Sequence, residues 1–292
     1  MFNVNADNQQ STGNNVNNLS AIQEDETLHQ GHSQFHVHKI VEQFCRNTHL
    51  LKLIEGCVQK FVAHYQDTKR PEDLLAPLQL RLDFVVGDLA KRAPQLLKLV
   101  IREPIQFAEA VKYAAFGLVR QQLRLLGHKP VDIGQLHAQW RLVGLQFHPN
   151  LLFDPGQQSF PLGLSFIQGI LSAYTPPETL VLQTIWFCGS GCLRNALQTS
   201  STDAPLCSNC SRPMSEYQKL RVLESYRLLA VLSISSVQSP RTSGCIHRAI
   251  LARARDHTYD LDLKLGADYL LSGYFTASSA AFNFEICHLR RV

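Results

Sequence analysis

Four cysteines constrain this chain more than any other feature: Cys188, Cys192, Cys207 and Cys210. They read C-x3-C, a gap of 14 residues, then C-x2-C. Each close pair fits one tight turn, and a hairpin brings two turns together. That is what a tetrahedral structural zinc needs. A closed set of four thiolates leaves no position for a catalytic water, so such a zinc would hold a fold. Two other readings stay open. One is a ribbon that keeps its cysteines without metal. The other is a redox dithiol at Cys207 and Cys210, for which no thioredoxin-like βαβ pattern surrounds the pair. A zinc deaminase is disfavoured, since no H-x-E partner accompanies a P-C-x-x-C.

The metal reading depends on a reducing compartment. The N-terminus has no basic residue and no apolar core of a signal peptide, so no secretory route is expected. The eight cysteines are then expected to stay mostly reduced. Cys45, Cys57, Cys245 and Cys287 are scattered in apolar surroundings and read as small core residues. No apolar run is long enough to cross a membrane.

At 292 residues the chain has room for about two domains. Residues 1–32 are rich in Asn, Gln, Ser and Gly, and read as a disordered tail. Their only charges are Asp7, Glu24, Asp25 and Glu26, so the remainder carries 28 Lys and Arg against 20 Asp and Glu. That mild positive bias suits a nucleic-acid-facing protein without requiring one. Residues 33–130 read as a helical subdomain. Val37, Ile40, Val41 and Phe44, then Leu50, Leu53, Ile54, Cys57, Val58 and Phe61, recur at three- and four-residue steps. Leu78, Leu80, Leu82, Phe84 and Val86 alternate with polar residues and predict a strand. Asp88 is expected to cap a helix starting near Leu89. Pro94 and Pro104 are expected near the starts of helices, where a missing N–H costs nothing. A last helix is expected from Ile105 to Leu126.

Residues 131–292 change texture. Eight short apolar stretches separated by Gly, Pro and Ser argue for a small barrel or sandwich. They are Leu162–Ser172, Leu180–Phe187, Lys219–Leu223, Leu228–Ile234, Ile246–Ala252, Tyr259–Lys264, Tyr269–Tyr274 and Phe282–Leu289. The cysteine hairpin, at about 185–216, is an insertion between two of them. The fold class expected is α+β: a helical subdomain, then an OB-fold β-barrel with an inserted zinc-ribbon hairpin.

Several segments resemble, in order, the N-terminal domain of the minichromosome maintenance (MCM) helicase family. Leu80-Arg-Leu-Asp-Phe, Asp88-Leu, Pro94-Gln-Leu, Glu103-Pro104 and Phe107-Ala-Glu-Ala are similar to the family's strand–helix–helix signature. Ser165-Phe-Ile-Gln-Gly-Ile170 is similar to its first barrel strand, and Ile185-Trp-Phe-Cys188 to the lead into its zinc ribbon. Tyr217-Gln-Lys-Leu-Arg-Val-Leu-Glu-Ser225 resembles the strand after the ribbon. Ile246-His-Arg248, Tyr259-Asp-Leu-Asp and Gly266-Ala-Asp-Tyr-Leu-Leu-Ser-Gly-Tyr274 resemble the strands that follow. The likeness spans about residues 36–292.

The departures matter as much. The first pair is C-x3-C where the common family form is C-x2-C. Thr276-Ala-Ser-Ser-Ala-Ala281, short and uncharged, stands where the family has a basic DNA-touching hairpin. Lys and Arg supply most nonspecific phosphate affinity, so channel-type DNA binding is expected to be weak. No G-x-x-x-x-G-K-[ST] occurs, so no ATP phosphate cradle is expected in these residues. The chain ends about where the family's ATPase domain would begin. In this it resembles the short meiotic MCM-like type of flies, which implies that the ATPase half sits on a separate chain.

The resemblance therefore implies a noncatalytic, nuclear MCM-like subunit of a meiotic recombination complex that promotes crossovers. Its partners would be MCM-like proteins carrying the ATPase domain, with DNA bound weakly by this chain alone. No membrane contact and no small-molecule substrate are expected. The polar loop Ser235–Gly244 lies where the family relays signals to its ATPase ring. The alternative is a free-standing single-stranded DNA-binding module built on the barrel and ribbon. Candidate phosphate contacts are Lys219, Arg221, Arg248, Arg253 and Arg255. Strand alternation would put Lys219 and Arg221 on one side, and likewise Arg253 and Arg255. Trp186, Phe187 and Tyr217 are available for base stacking but read more simply as core, with Trp186 packing the ribbon base. His32, His36 and His38 read as exposed tail-edge histidines. Asp260 and Asp262 read as part of an acidic strand with no acid–base role.

Overall fold

The computed structural model describes residues 36–65, 75–154, 161–190, 192, 196–199, 203–234, 237, 249–255, 262–277 and 282–292. The expected tail, Arg248, Asp260, the hairpin tip at 278–281 and all of Ser235–Gly244 except Val237 lie outside the described residues.

The apolar spacing read from residues 37–61 resolves into two helices. Helix α1 covers 36–46 and buries Val41, Phe44 and Cys45. Helix α2, Leu50–Tyr65, buries Leu50, Ile54 and Val58, one residue per turn on one face. Strand β1, Leu78–Val85, follows the alternation: its even-numbered residues are buried through Phe84. Helix α3 is Val86–Arg92, so it begins before the expected site. Asp88 lies inside its first turn and is not the cap, a position Val85 holds without a side-chain bond. Its carboxylate still faces the favourable end of the helix dipole. Helices α4, Pro94–Arg102, and α5, Pro104–Leu125, each start on proline as the sequence predicts. Helix α5 ends on Gly127 at φ +66°, with His128 N–H bonded to Leu123 O and Gly127 N–H to Arg124 O.

Strand β2, Leu136–Val143, is C-terminal to the expected boundary at 130/131, yet it pairs in parallel with β1 along its whole length. Leu136 and Leu142 join the helical core, and half-buried Trp140 packs against it. The polar side of this ribbon carries an ion pair between Asp83 and Arg141, which are register partners. Gln135 is buried but satisfied: its amide donates to Ala76 O at 3.0 Å and accepts from Asp132 N–H at 2.8 Å.

Seven of the remaining strands fix the barrel and its insertion. They are β3 (Leu164–Tyr174), β4 (Glu178–Phe187), β5 (Ala196–Thr199), β6 (Ser215–Glu216), β7 (Val222–Ser233), β8 (Ile250–Arg255) and β9 (Asp268–Ala277). An eighth, β10 (Phe282–Arg291), completes the set. Pairing runs β3–β9–β10–β8–β7 and returns to β3. All pairs are antiparallel except β8–β10, which is parallel and, among the described residues, registers two residue pairs. This is the five-strand order of a partly open OB barrel. Ile167, Leu171, Leu229, Val231, Leu271 and Phe284 fill its interior.

Gly273 shows why the ring can coil. A Cβ placed there would meet Glu285 O at 2.0 Å, against backbone that cannot give way. Gly273→Ala is expected to destabilise the barrel by about 1–3 kcal/mol through overpacking. A urea unfolding curve superimposable on the wild type would contradict this.

Two expected strands are corrected. Lys219–Leu223 is a 3-10 turn at Gln218–Leu220 leading into β7, because Leu220 dips into an apolar cluster with Ile185 and Ala76. Residues 262–264, the described end of Tyr259–Lys264, form no strand, and Asp262 is exposed.

Candidate metal centre and the barrel's arginine face

The hairpin between β4 and β7 gathers the four cysteines. Strand β4 carries the chain past Trp186 to Cys188, and β5 and β6 both pair back onto β4. The second pair sits on a turn closed by Ser211 N–H to Cys207 O and Cys207 N–H to Arg212 O, each 2.8 Å. Ser211 has φ 55°, the left-handed conformation such a turn requires. All four sulfurs lie within 4.8 Å of one another, and Cys188 Sγ is 3.4 Å from Cys210 Sγ. A tetrahedral four-thiolate zinc, with Zn–S about 2.3 Å, places its sulfurs about 3.8 Å apart. The donor set therefore fits such a metal.

The surroundings fit it as well. Trp186, Cys207 and Met214 form a small buried cluster on which Cys188, Cys192 and Cys210 pack. The Trp186 indole N–H is satisfied by Thr184 Oγ1 at 2.9 Å. The Cys188 thiol is lowered, first by the Ser190 backbone N–H and then by Cys210. That of Cys192 is pushed up to about 12, first by its hydrogen bond to Cys188 and then by burial. The bound metal would supply a cross-link between two turns. With four protein sulfurs around it, it has no open position for substrate. Of the other cysteines, Cys45 and Cys287 are buried and Cys57 is half-buried, as expected, while Cys245 lies outside the described residues.

The expected phosphate contacts fare differently. Lys219 is exposed on the 3-10 turn. Arg221 follows that turn and forks onto the Glu216 carboxylate, with Nε 2.7 Å from Oε1. The two do not share a strand face. Arg253 and Arg255 do share the outer face of β8, but both are engaged. Arg255 Nε donates to Glu285 Oε2 at 2.8 Å, and its NH1 donates to Glu224 Oε2 at 2.9 Å. Arg253 NH1 lies 3.2 Å from Glu285 Oε1. Burial opposes the charge on Arg255, but Glu285 and Glu224 outweigh it and its pKa rises.

Sequence reading missed these two carboxylates, because they lie on β7 and β10, on either side of β8. Glu224 also accepts a bond from Gln139 Nε2 of β2 at 2.9 Å, which joins the helical subdomain to the barrel. Trp140 stacks on Tyr274 at 6.1 Å across the same junction. Trp186 is buried at the ribbon base, as expected. Phe187 and Tyr217 meet edge-on at 5.9 Å and pack on the cluster beside α2.

Beside this junction His137 bonds to Gln183. Burial lowers the His137 pKa more than the Gln183 bond raises it, and Lys112 lowers it further. Burial also lowers His38 and His288. A histidine depressed in the folded state binds more protons when unfolded, so stability rises with pH through that range. Stability is expected to be complete above about pH 6.5, the unfolded value, and to fall as pH drops below it. His137→Gln is expected to flatten the decline. Equal urea midpoints at pH 7.5 and 5.5 in the wild type would contradict it.

Helical subdomain, OB barrel and four-thiolate hairpin together define an α+β protein of the MCM N-terminal type of fold. No protein-family model matches the sequence. No curated protein matches it either. Among solved structures, the chain is similar to the crystal structure of the N-terminal domain of an archaeal MCM, with a TM-score of 0.52 at 12% sequence identity. The match covers 89% of this chain and 99% of that chain. No helix among the described residues is long and apolar enough to cross a membrane.

Proposed function

We propose that this chain is a noncatalytic MCM-like subunit that assembles with MCM-like chains bearing the ATPase domain and acts with them on DNA. One observation carries the reading. A four-thiolate hairpin is inserted between the first and second strands of an OB ring, which is set against a helical subdomain. That whole arrangement is similar to an archaeal MCM N-terminal domain. The hairpin's metal is zinc, on the chemistry of four thiolates in a closed tetrahedral set. ATP hydrolysis falls to the partner, since these residues contain no phosphate-cradling glycine loop. DNA binding by the chain alone is weak, in keeping with the carboxylates that engage Arg221, Arg253 and Arg255. The meiotic, crossover-promoting role and the nuclear location rest on the sequence resemblance alone.

The test is affinity purification of the full chain from germline tissue at moderate salt, with identification of what co-elutes. Chains carrying an MCM-type ATPase domain support the reading. Elution alone, with tight salt-sensitive binding to single strands, replaces it with a free-standing DNA-binding module.

A further inference from the structure

The four sulfurs of the hairpin differ in how solvent meets them. Cys207 is 1% exposed and packs with Trp186 and Met214. Cys188, Cys192 and Cys210 are half-buried, so a small solute reaches them first. The C-x2-C pair, which the sequence offers as a redox dithiol, is therefore shielded on its Cys207 side. Cys188 and Cys210 belong to opposite turns, 22 residues apart in the chain, and their sulfurs lie 3.4 Å apart. The backbone holds both in place. Phe187, next to Cys188, pairs with Ala196 of β5 and Ser215 of β6. Cys210 lies in the turn closed by the bonds of Cys207 with Ser211 and Arg212. A disulfide needs its sulfurs about 2 Å apart, so this pair must close by about 1.4 Å, which side-chain rotation supplies.

We infer that Cys188 and Cys210 form a site of reversible oxidation by peroxide, at which the hairpin exchanges its metal cross-link for a disulfide. One thiolate attacks a peroxide oxygen. The O–O bond breaks, the sulfur becomes a sulfenic acid and hydroxide leaves. The second thiolate attacks that sulfur, forms the S–S bond and expels a second hydroxide. The two sulfurs give up two electrons, hydrogen peroxide takes them, and two protons complete two waters. Cys192 and Cys207 are then too few to hold zinc. The new bond still joins the two turns, so the hairpin keeps its shape without metal. A bond within one turn, Cys188 to Cys192 or Cys207 to Cys210, would leave the turns unjoined. A thiol reductant with zinc reverses the exchange. This rests on the zinc reading above and adds a chemical control of that site.

The test treats the purified, zinc-loaded full chain with hydrogen peroxide. It reads zinc released to a chromogenic chelator, tryptophan emission, and disulfide pairing by alkylation, digestion and mass mapping. The expected result is loss of the bound zinc, a Cys188–Cys210 disulfide, a free thiol at Cys207, and emission that does not shift toward water-exposed indole. Removing the zinc with a chelator under reducing conditions is expected to expose Trp186 instead. Thiol reductant with zinc is expected to restore the oxidised chain. A Cys207–Cys210 disulfide, or any pairing other than Cys188–Cys210, overturns the proposal. So does zinc loss with Trp186 exposed, or zinc retained with all four thiols intact. A chain that holds no zinc before treatment overturns the metal reading, and the exchange with it. A zinc-loaded chain that forms another pairing overturns the exchange alone, so the two readings fail distinguishably.

Discussion

Replacing Cys207 and Cys210 by serine is expected to remove the metal and unravel the hairpin between β4 and β7, while the helical core stays folded. Among the described residues, few buried side chains hold the hairpin. Its buried cluster is Trp186, Cys207 and Met214, with the other three cysteines packed around it. Metal binding to such thiolate sets contributes about 10–16 kcal/mol in zinc-finger peptides, more than a cluster this small can replace. The helical core is separate from that cluster; it runs from α1 through β2 and takes in Leu164 and Cys287 of the barrel. The two tryptophans report on the two regions: Trp186 on the hairpin and Trp140 on the junction with the helical core. Emission spectrometry should find one zinc per wild-type chain and none in the double variant. Of the two indoles, only Trp186 should become water-exposed. A metal-free wild type, or a variant that keeps Trp186 buried, would contradict the assignment.

Phe84→Ala is expected to cost about 3–5 kcal/mol, the other large effect. Phe84 is fully buried on β1. It stacks on Phe44 of α1 at 5.9 Å and meets Phe107 of α5 edge-on at 5.2 Å. Phe107 in turn meets Trp140 of β2 at 5.1 Å, and Trp140 reaches Tyr274 of the barrel. The ring is thus an early member of an aromatic run that ties the helices to the barrel. Removing it leaves a cavity that rigid neighbours on two helices cannot fill. At about 2–4 °C per kcal/mol for a domain of this size, Tm should fall well outside the range of a surface change such as Lys98→Ala. Equal Tm shifts for the two variants would show that the core is more plastic than its packing implies.

The parts of this fold that sequence reading reaches are those set by local rules. Strand β1 shows its alternation, Pro94 and Pro104 open α4 and α5, and the spacing of Cys188, Cys192, Cys207 and Cys210 encodes two turns. What it does not reach depends on partners far along the chain. Strand β2 is hard to place because His137, Gln139 and Arg141 find polar partners rather than bulk water. Gln139 meets Glu224, and Arg141 meets Asp83. Arg253 and Arg255 read as a free basic face because their counter-ion Glu285 is 30 residues beyond Arg255, on another strand. Lys219 and Arg221 read as strand neighbours until Leu220 is drawn into the cluster with Ile185 and Ala76. In each case a tertiary contact overrides a local period.

The measurement that bears most directly on the function is a paired purification of the wild type and the Cys207→Ser/Cys210→Ser variant. The proposed function would have this chain dock against ATPase-bearing chains, and a docking that uses the hairpin depends on its cysteines. The expected result is that the wild type brings those chains down, and that the variant, with its helical core still folded, does not. A wild type that elutes alone, or a hairpin variant that keeps the partners, would contradict it.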